Sequence, residues 1–235
     1  MIIDPELGTI NFIHSDRSKH IRVRILSDGL RVSMPMRESE KNAMTFIDSI
    51  RARLIAKQES LEEKLQNNAI IIDETSKLQT LTFSVEPKAV ARKDIFYTLE
   101  NSILTIEFPA GADTRGKQMQ SYFWNGITYF LRKDAKKILP NKTKELATEF
   151  GFQFADVKIQ SSKTRWGSCS RGRSLNLSLY LLLLPMHLID YVILHELCHT
   201  KEMNHGPNFW KWMDKVTDGK SKALRAELKK YNMPE

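Results

Sequence analysis

The chain has 235 residues, 41% of them hydrophobic and 27% charged, an ordinary globular composition that excludes a disordered chain. Its longest uncharged stretch, 174–189, holds Asn176, Pro185 and His187 and is too short and too polar to span a bilayer. The net charge of +8 is uneven: residues 1–112 carry 15 Lys and Arg against 16 Asp and Glu, residues 113–235 carry 21 against 12. A basic second half suits either a solvated surface or an anionic partner such as a nucleotide, a nucleic acid or an acidic protein. Asp4 and Glu6 inside the first apolar stretch argue against a secretory signal, and Cys169 and Cys198 make no disulfide framework. A cytoplasmic setting is therefore expected.

The first half reads as strands interrupted by one long helix. Residues 21–25 and 30–34 alternate apolar and polar around Ser27-Asp28-Gly29, a hairpin signal in which Gly29 supplies a positive φ. From Ser39 to about Gln66, Ala43, Ile47, Ile50, Leu54, Leu61 and Leu65 recur at helical spacing, which predicts one amphipathic helix packed on the sheet. Strand patterns return at 81–85, 95–99 and 103–108, the last two joined by Glu100-Asn101-Ser102. Nothing here looks catalytic, and His14 and His20 read as surface or turn residues.

Pro109-Ala110-Gly111-Ala112-Asp113 is the expected domain boundary, since the charge balance also changes there. This divides the chain into a strand-rich domain, 1–112, and a second domain, 113–235. A helix is predicted over 114–139, stopped by Pro140-Asn141, then a shorter one capped by Gly151. Strand-like pieces follow at 157–160, 165–169 and 175–181, with Arg171-Gly172-Arg173 as a turn between the last two. Pro185 opens an apolar helix to about Thr200. Gly206-Pro207 breaks the chain, a helix begins at Asn208, and Ser221 is placed as the cap of a last, basic helix. The pattern as a whole is α+β.

The chemistry concentrates in His195-Glu196-Leu197-Cys198-His199, followed by His205. On a helix, His195 and His199 lie about 40° apart, so both imidazoles can share one ion, with Zn²⁺ the best match for nitrogen ligands. Glu196 lies about 100° away, able to reach a zinc-activated water as general base. The third ligand is open between His205 and Glu202. His205 is favoured because three neutral imidazoles make a well-attested catalytic set. Glu202 could instead ligate if the helix continues, or orient His199. It also stands where the longer zinc motif of this spacing has Gly.

In Lys163-Thr164-Arg165-Trp166-Gly167-Ser168-Cys169, Gly167 suggests a close approach to the backbone, such as that of a substrate. Arg165 either anchors an anionic group or oxyanion, or sits in a structural ion pair with Trp166 in the core. Tyr180 and Tyr191 are further oxyanion-donor candidates, though buried aromatics more often pack. Cys198 falls off the metal stripe and reads as a buried, inert thiol. Phe209, Trp210 and Trp212 read as packing over the metal helix, and the basic residues around Lys220, Lys222, Arg225, Lys229 and Lys230 as a solvated face.

These residues, with Leu175-Asn176-Leu177, Ile189-Asp190-Tyr191-Val192 and Asn204-His205-Gly206-Pro207-Asn208-Phe209-Trp210, resemble the YgjP-like metallopeptidase family and, more loosely, the SprT-like zincins. The match is dense over about 161–212. The resemblance implies a zincin-like second domain with an HExxH active-site helix and a small antiparallel sheet. It also implies His195, His199 and His205 as metal ligands and Glu196 as base, and it makes Glu202 unexceptional. The implied activity is a zinc metallohydrolase acting on peptides or proteins, with Arg165 added to the site from the strand argument above. Some family members carry a nucleoside triphosphate pyrophosphatase assignment, and SprT-like proteins act on proteins attached to DNA. A UTP-type pyrophosphatase and a nucleic-acid-binding module with a structural metal are thus the rival expectations. Against the pyrophosphatase, no carboxylate cluster for Mg²⁺ and no Gly-rich phosphate loop is evident.

Overall fold

The computed structural model describes residues 1–26, 28–68 and 70–234, with the backbone alone for 61–68. The chain forms two compact units, Met1–Asn68 and Ala69–Glu235. The units part there and not within 109–113, because the strands before that segment share a core with the long helix after it. Among the described residues no helix is long and apolar enough to cross a membrane.

In the first unit, β1 (Ile2–Asp4), β2 (Gly8–His14), β3 (Arg22–Leu26) and β4 (Gly29–Met34) form a sheet in the order β1-β2-β4-β3. The expected β3–β4 pair is antiparallel, with Val23 opposite Val32. Ser27 of its turn lies outside the described residues. Gly29 has φ +146°, and a β-carbon there would lie 2.1 Å from the Thr9 carbonyl oxygen of the parallel neighbour β2, so only glycine fits. The single helix expected over 39–66 is two, α1 (Glu40–Ser49) and α2 (Arg51–Asn68). Ser39 caps α1 by accepting from the Asn42 amide. The break falls at Ile50, where φ −118° and ψ 12° leave the helical region. Ser49 Oγ bonds the Phe46 carbonyl beside the break, and Arg51 is drawn to Asp4 of β1. The side chains of Leu61 and Leu65 lie outside the described residues. Leu7, Ile10, Leu30, Val32, Met34, Ala43, Ile47 and Leu54 form this unit's core.

The second unit opens with β5 (Leu78–Gln79), β6 (Ser84–Val90), β7 (Phe96–Glu100) and β8 (Ile103–Pro109), ordered β5-β6-β8-β7. β7 and β8 form the expected hairpin, with Asn101 and Ser102 both at positive φ as a tight primed turn requires. The strand expected at 81–85 starts later and runs past Pro87. Pro87 is tolerated because β5 pairs only with residues 84 and 85, leaving that side open.

α3 (Lys117–Phe150) is one 34-residue helix, although a stop was expected at Pro140. Leu131, Ala135, Leu139, Thr143 and Leu146 continue one buried stripe through the proline, so burial outweighs the lost hydrogen bond. Thr143 Oγ1 donates to the Leu139 carbonyl across the same turn. Gly151 ends the helix at φ 70°, as expected.

β9 (Asp156–Gln160), β10 (Gly167–Cys169) and β11 (Ser174–Ser178) form the third sheet, ordered β10-β11-β9. β10–β11 is the expected antiparallel hairpin, turned at Arg173 (φ 60°), while β9 joins in parallel. Residues 179–183 leave the strand expected to 181 and form a 3₁₀ turn capped by Ser178, as the leucines enter the core. α4 (Met186–Cys198), α5 (Pro207–Val216) and α6 (Ser221–Leu228) complete the chain. Lys220, not Ser221, takes the cap position of α6, because the Ser221 hydroxyl donates to Asp214 of α5. The whole is the mixed α+β architecture expected from the pattern.

Candidate metal and catalytic site

Pro185 starts α4, and Ile189, Ile193 and Leu197 anchor it in the core with no exposure. That burial presents His195, Glu196 and His199 at its C-terminal end. The chain then turns through 200–206 before α5 starts at Pro207, and this turn brings His205 back to His195 of α4. The ligand-capable atoms of His195, His199 and His205 all lie within 4.8 Å of one another. The Nε2 atoms of His195 and His205 are 3.0 Å apart. Phe209 of α5, fully buried, contacts all three rings at centroid distances of 4.9, 4.5 and 4.7 Å. It is the floor of the cluster, in line with the packing role expected for it.

His199 Nδ1–H donates to the Glu202 carbonyl at 3.0 Å, which fixes the tautomer and leaves Nε2 free to face the cluster. The orienting group is the main chain of Glu202. Among the described residues its carboxylate joins no such cluster, because α4 ends at Cys198 and the helical stripe is not continued. Burial, then the neighbouring histidines, pushes the His195 pKa down to about 3, and burial also lowers that of His199. Neutral imidazoles are the form that binds a metal.

Glu196 is 6% exposed, and its Oε2 is buried without a hydrogen-bond partner. Burial raises its pKa to about 8, opposed by the charge of Arg165. Its side chain lies against Gly167 of β10: a β-carbon there would sit 2.7 Å from Glu196 Cγ. The close approach expected at Gly167 is thus made by Glu196. Arg165 is exposed, precedes β10, and has no ion-pair partner among the described residues. With Ser168 and Asn176 it lines a polar cavity of about 350 Å³. Trp166 packs partly buried on the core.

The two tyrosines separate. Tyr191 is buried with its ring 6.3 Å from that of His195, whereas Tyr180 bonds the Thr128 hydroxyl at 3.3 Å on the α3 side. Cys198 is fully buried, as expected, and burial raises its pKa to about 12. One neighbour escaped the sequence reading. Arg225, expected on a solvated face, lies 5.1 Å above Trp210, whose ring is 6.2 Å from that of His205. The contact joins α5 to α6, and no local periodicity announces it.

Three nitrogen donors converging at the end of a helix that also carries a buried, unpartnered carboxylate oxygen fit a borderline-soft divalent metal such as zinc. The model for the YgjP-like metallopeptidase domain matches residues 19–231. No curated protein matches the chain. Among solved structures, the metallopeptidase zymogen abylysin of Pyrococcus abyssi is 25% identical with a TM-score of 0.36, over 41% of this chain and 99% of its own. The metallopeptidase zymogen jannalysin of Methanocaldococcus jannaschii is 21% identical with a TM-score of 0.35, over 39% and 94%.

Proposed function

We propose that this chain, which belongs to the YgjP-like metallopeptidase family, is a zinc-dependent peptidase whose general base is Glu196. The observation that carries the reading is the convergence of three histidine nitrogens at the end of the helix that also carries the buried, unpartnered Glu196 Oε2. His195, His199 and His205 would hold the zinc. When bound, the ion supplies positive charge that polarises a substrate carbonyl and acidifies a water molecule. Glu196 takes a proton from the attacking water, whose oxygen bonds to the carbonyl carbon. It then delivers that proton to the amide nitrogen as the C–N bond breaks, so atoms and charge balance.

Burial suits Glu196 to hold the proton between the two steps, since a carboxyl buried to this degree keeps a proton more readily than one in water. Gly167 keeps it pressed against β10. Arg165, exposed and unpaired beside the polar cavity, offers an anion-binding group for the developing oxyanion or for a substrate carboxylate. Tyr191 lies beside His195, and Arg225 stands over Trp210, whose ring neighbours His205.

The test compares wild type with Glu196→Gln and His199→Ala. Zinc per chain is measured by elemental analysis, and turnover on labelled casein and on UTP side by side. About one zinc per chain in wild type and Glu196→Gln, its loss in His199→Ala, and casein cleavage abolished in both variants are expected. Pyrophosphate release from UTP without casein cleavage would assign a nucleotide pyrophosphatase. Full zinc with neither activity would leave the metal structural.

A further inference from the structure

A second concavity, of about 610 Å³, lies along α3 at the end of β9. Lys117, Trp124 and Arg132 line it from α3. They are seven and eight residues apart, about two turns each, and so share one face over roughly 22 Å. Lys163 lines it from the β9–β10 connection, Arg115 from the N-terminal side of α3, and Tyr180 from the 3₁₀ turn. Arg115 is tied to Asp73 at 3.6 Å. Lys117, Arg132 and Lys163 have no ion-pair partner among the described residues, and no carboxylate lines the cavity. Like charges gathered on one concave wall focus a positive potential that an anionic occupant relieves.

The cavity borders the segment that carries Arg165. Ser161 and Lys163 line it, whereas Ser162, Thr164 and Arg165 of the same segment line the polar cavity along β10 and β11. Lys163 and Arg165 are two residues apart, at most ~7 Å between α-carbons. An occupant held by Lys163 is therefore within a few residues' reach of Arg165, whose charge acts on Glu196. Two features favour a peptide over a nucleic acid. The only aromatics in the wall, Trp124 and Tyr180, are buried and meet edge to face at 6.5 Å, leaving no stacking platform for bases. The concavity is also bounded, with room for a few side chains.

We infer that this cavity is a subsite for acidic side chains of the substrate, so that the enzyme selects peptides carrying Asp or Glu a few residues from the bond it cleaves. The inference rests on the peptidase reading above. Its test reads binding apart from turnover.

Fluorescein-labelled hexaglutamate would be titrated with the full chain, in wild type and in Arg132→Gln/Lys163→Gln, and followed by fluorescence anisotropy. The same would be done with hexalysine and a 12-nucleotide single-stranded DNA. The expected result is hexaglutamate binding that weakens about tenfold in the double variant and with added salt, and no hexalysine binding. In cleavage assays, paired peptides with and without an acidic flank should differ in KM, and the double variant should erase that difference while sparing kcat on the neutral peptide. Hexaglutamate bound equally by both proteins, or by neither, overturns the proposal. DNA binding that is tighter and lost in the double variant also overturns it, in favour of a nucleic-acid site. Binding as expected with no peptide cleaved under any condition would instead sink the peptidase reading while leaving an acidic-ligand cavity.

Discussion

The α-carbon of Gly167 and the side chain of Glu196 fill adjoining space, so that a methyl group at 167 would stand 2.8 Å from Glu196 Oε1. The neighbour that must give way is the Glu196 side chain from Cγ outward, not backbone. Gly167→Ala should therefore fold, at a cost of about 1–3 kcal/mol for overpacking, while displacing the carboxylate. Its kcat on a peptide substrate should fall by roughly 10- to 100-fold, since small misplacements of a reacting group are expensive. Zinc content and KM should change little. A wild-type kcat in Gly167→Ala would mean that the base acts from a position other than the one against β10.

The orientation of His199 depends on the Glu202 carbonyl, not on the Glu202 side chain. Glu202→Ala should consequently retain its metal and most of its activity. His205→Ala removes one of the three converging nitrogens and should lose zinc affinity by at least 100-fold, read by competition with a chromogenic chelator. If Glu202→Ala loses zinc as His205→Ala does, the carboxylate is a ligand and the assignment of His205 falls.

Phe209 touches all three histidine rings while being wholly buried. Phe209→Ala should destabilise the second unit by about 3–5 kcal/mol, as for other large cavity-forming changes. The four tryptophans all lie in 69–235, so their fluorescence reports this unfolding directly. Phe209→Leu refills most of the volume and should recover most of that stability. Zinc affinity should stay reduced in both, since neither gives His199 the stacked ring 4.5 Å away.

The parts of the molecule written in short-range signals were legible. Pro185, the apolar run after it and the i, i+4 histidines specify α4, and Gly206-Pro207 specifies where α5 begins. Pro140 shows the opposite case. A local rule ends the helix there, but the buried stripe from Leu131 to Leu146 belongs to the core and carries α3 through. The break at Ile50 was hidden for a similar reason, since Arg51 answers to Asp4, 47 residues earlier. β1 and β2 were missed because β1 has three residues and β2 pairs in parallel with a strand beyond the hairpin turn. At the site, the convergence of the three histidines was legible. The Glu202 carbonyl was not, because a main-chain acceptor carries no residue code, and neither was the Gly167–Glu196 contact between two separate elements.

Asp4 and Arg51 tie β1 to α2, through contacts of 3.0 and 2.8 Å to the two carboxylate oxygens. The amides of Glu6 and Leu7 also donate to Asp4 Oδ1, both at 3.0 Å. Arg51 chiefly, and these amides against the cost of burial, hold the Asp4 pKa down at about 2. A depressed carboxylate stabilises the fold above its unfolded pKa near 4 and stops doing so as pH falls through the folded value. The first unit should thus hold about 1–2 kcal/mol from Asp4 at neutral pH, after allowance for solvent screening, with roughly half lost near pH 3 and the rest below pH 2. Tryptophan fluorescence is blind to this unit, so the measurement is hydrogen exchange of the β4 amides in the full chain. Protection there should fall between pH 5 and pH 2.5 in wild type, after correction for intrinsic exchange. In Asp4→Asn it should start lower and lose this part of its pH dependence. Equal pH dependence in the two proteins would place the acid sensitivity of this unit in other carboxylates, with Glu6 and Asp48 on Arg51 next in line.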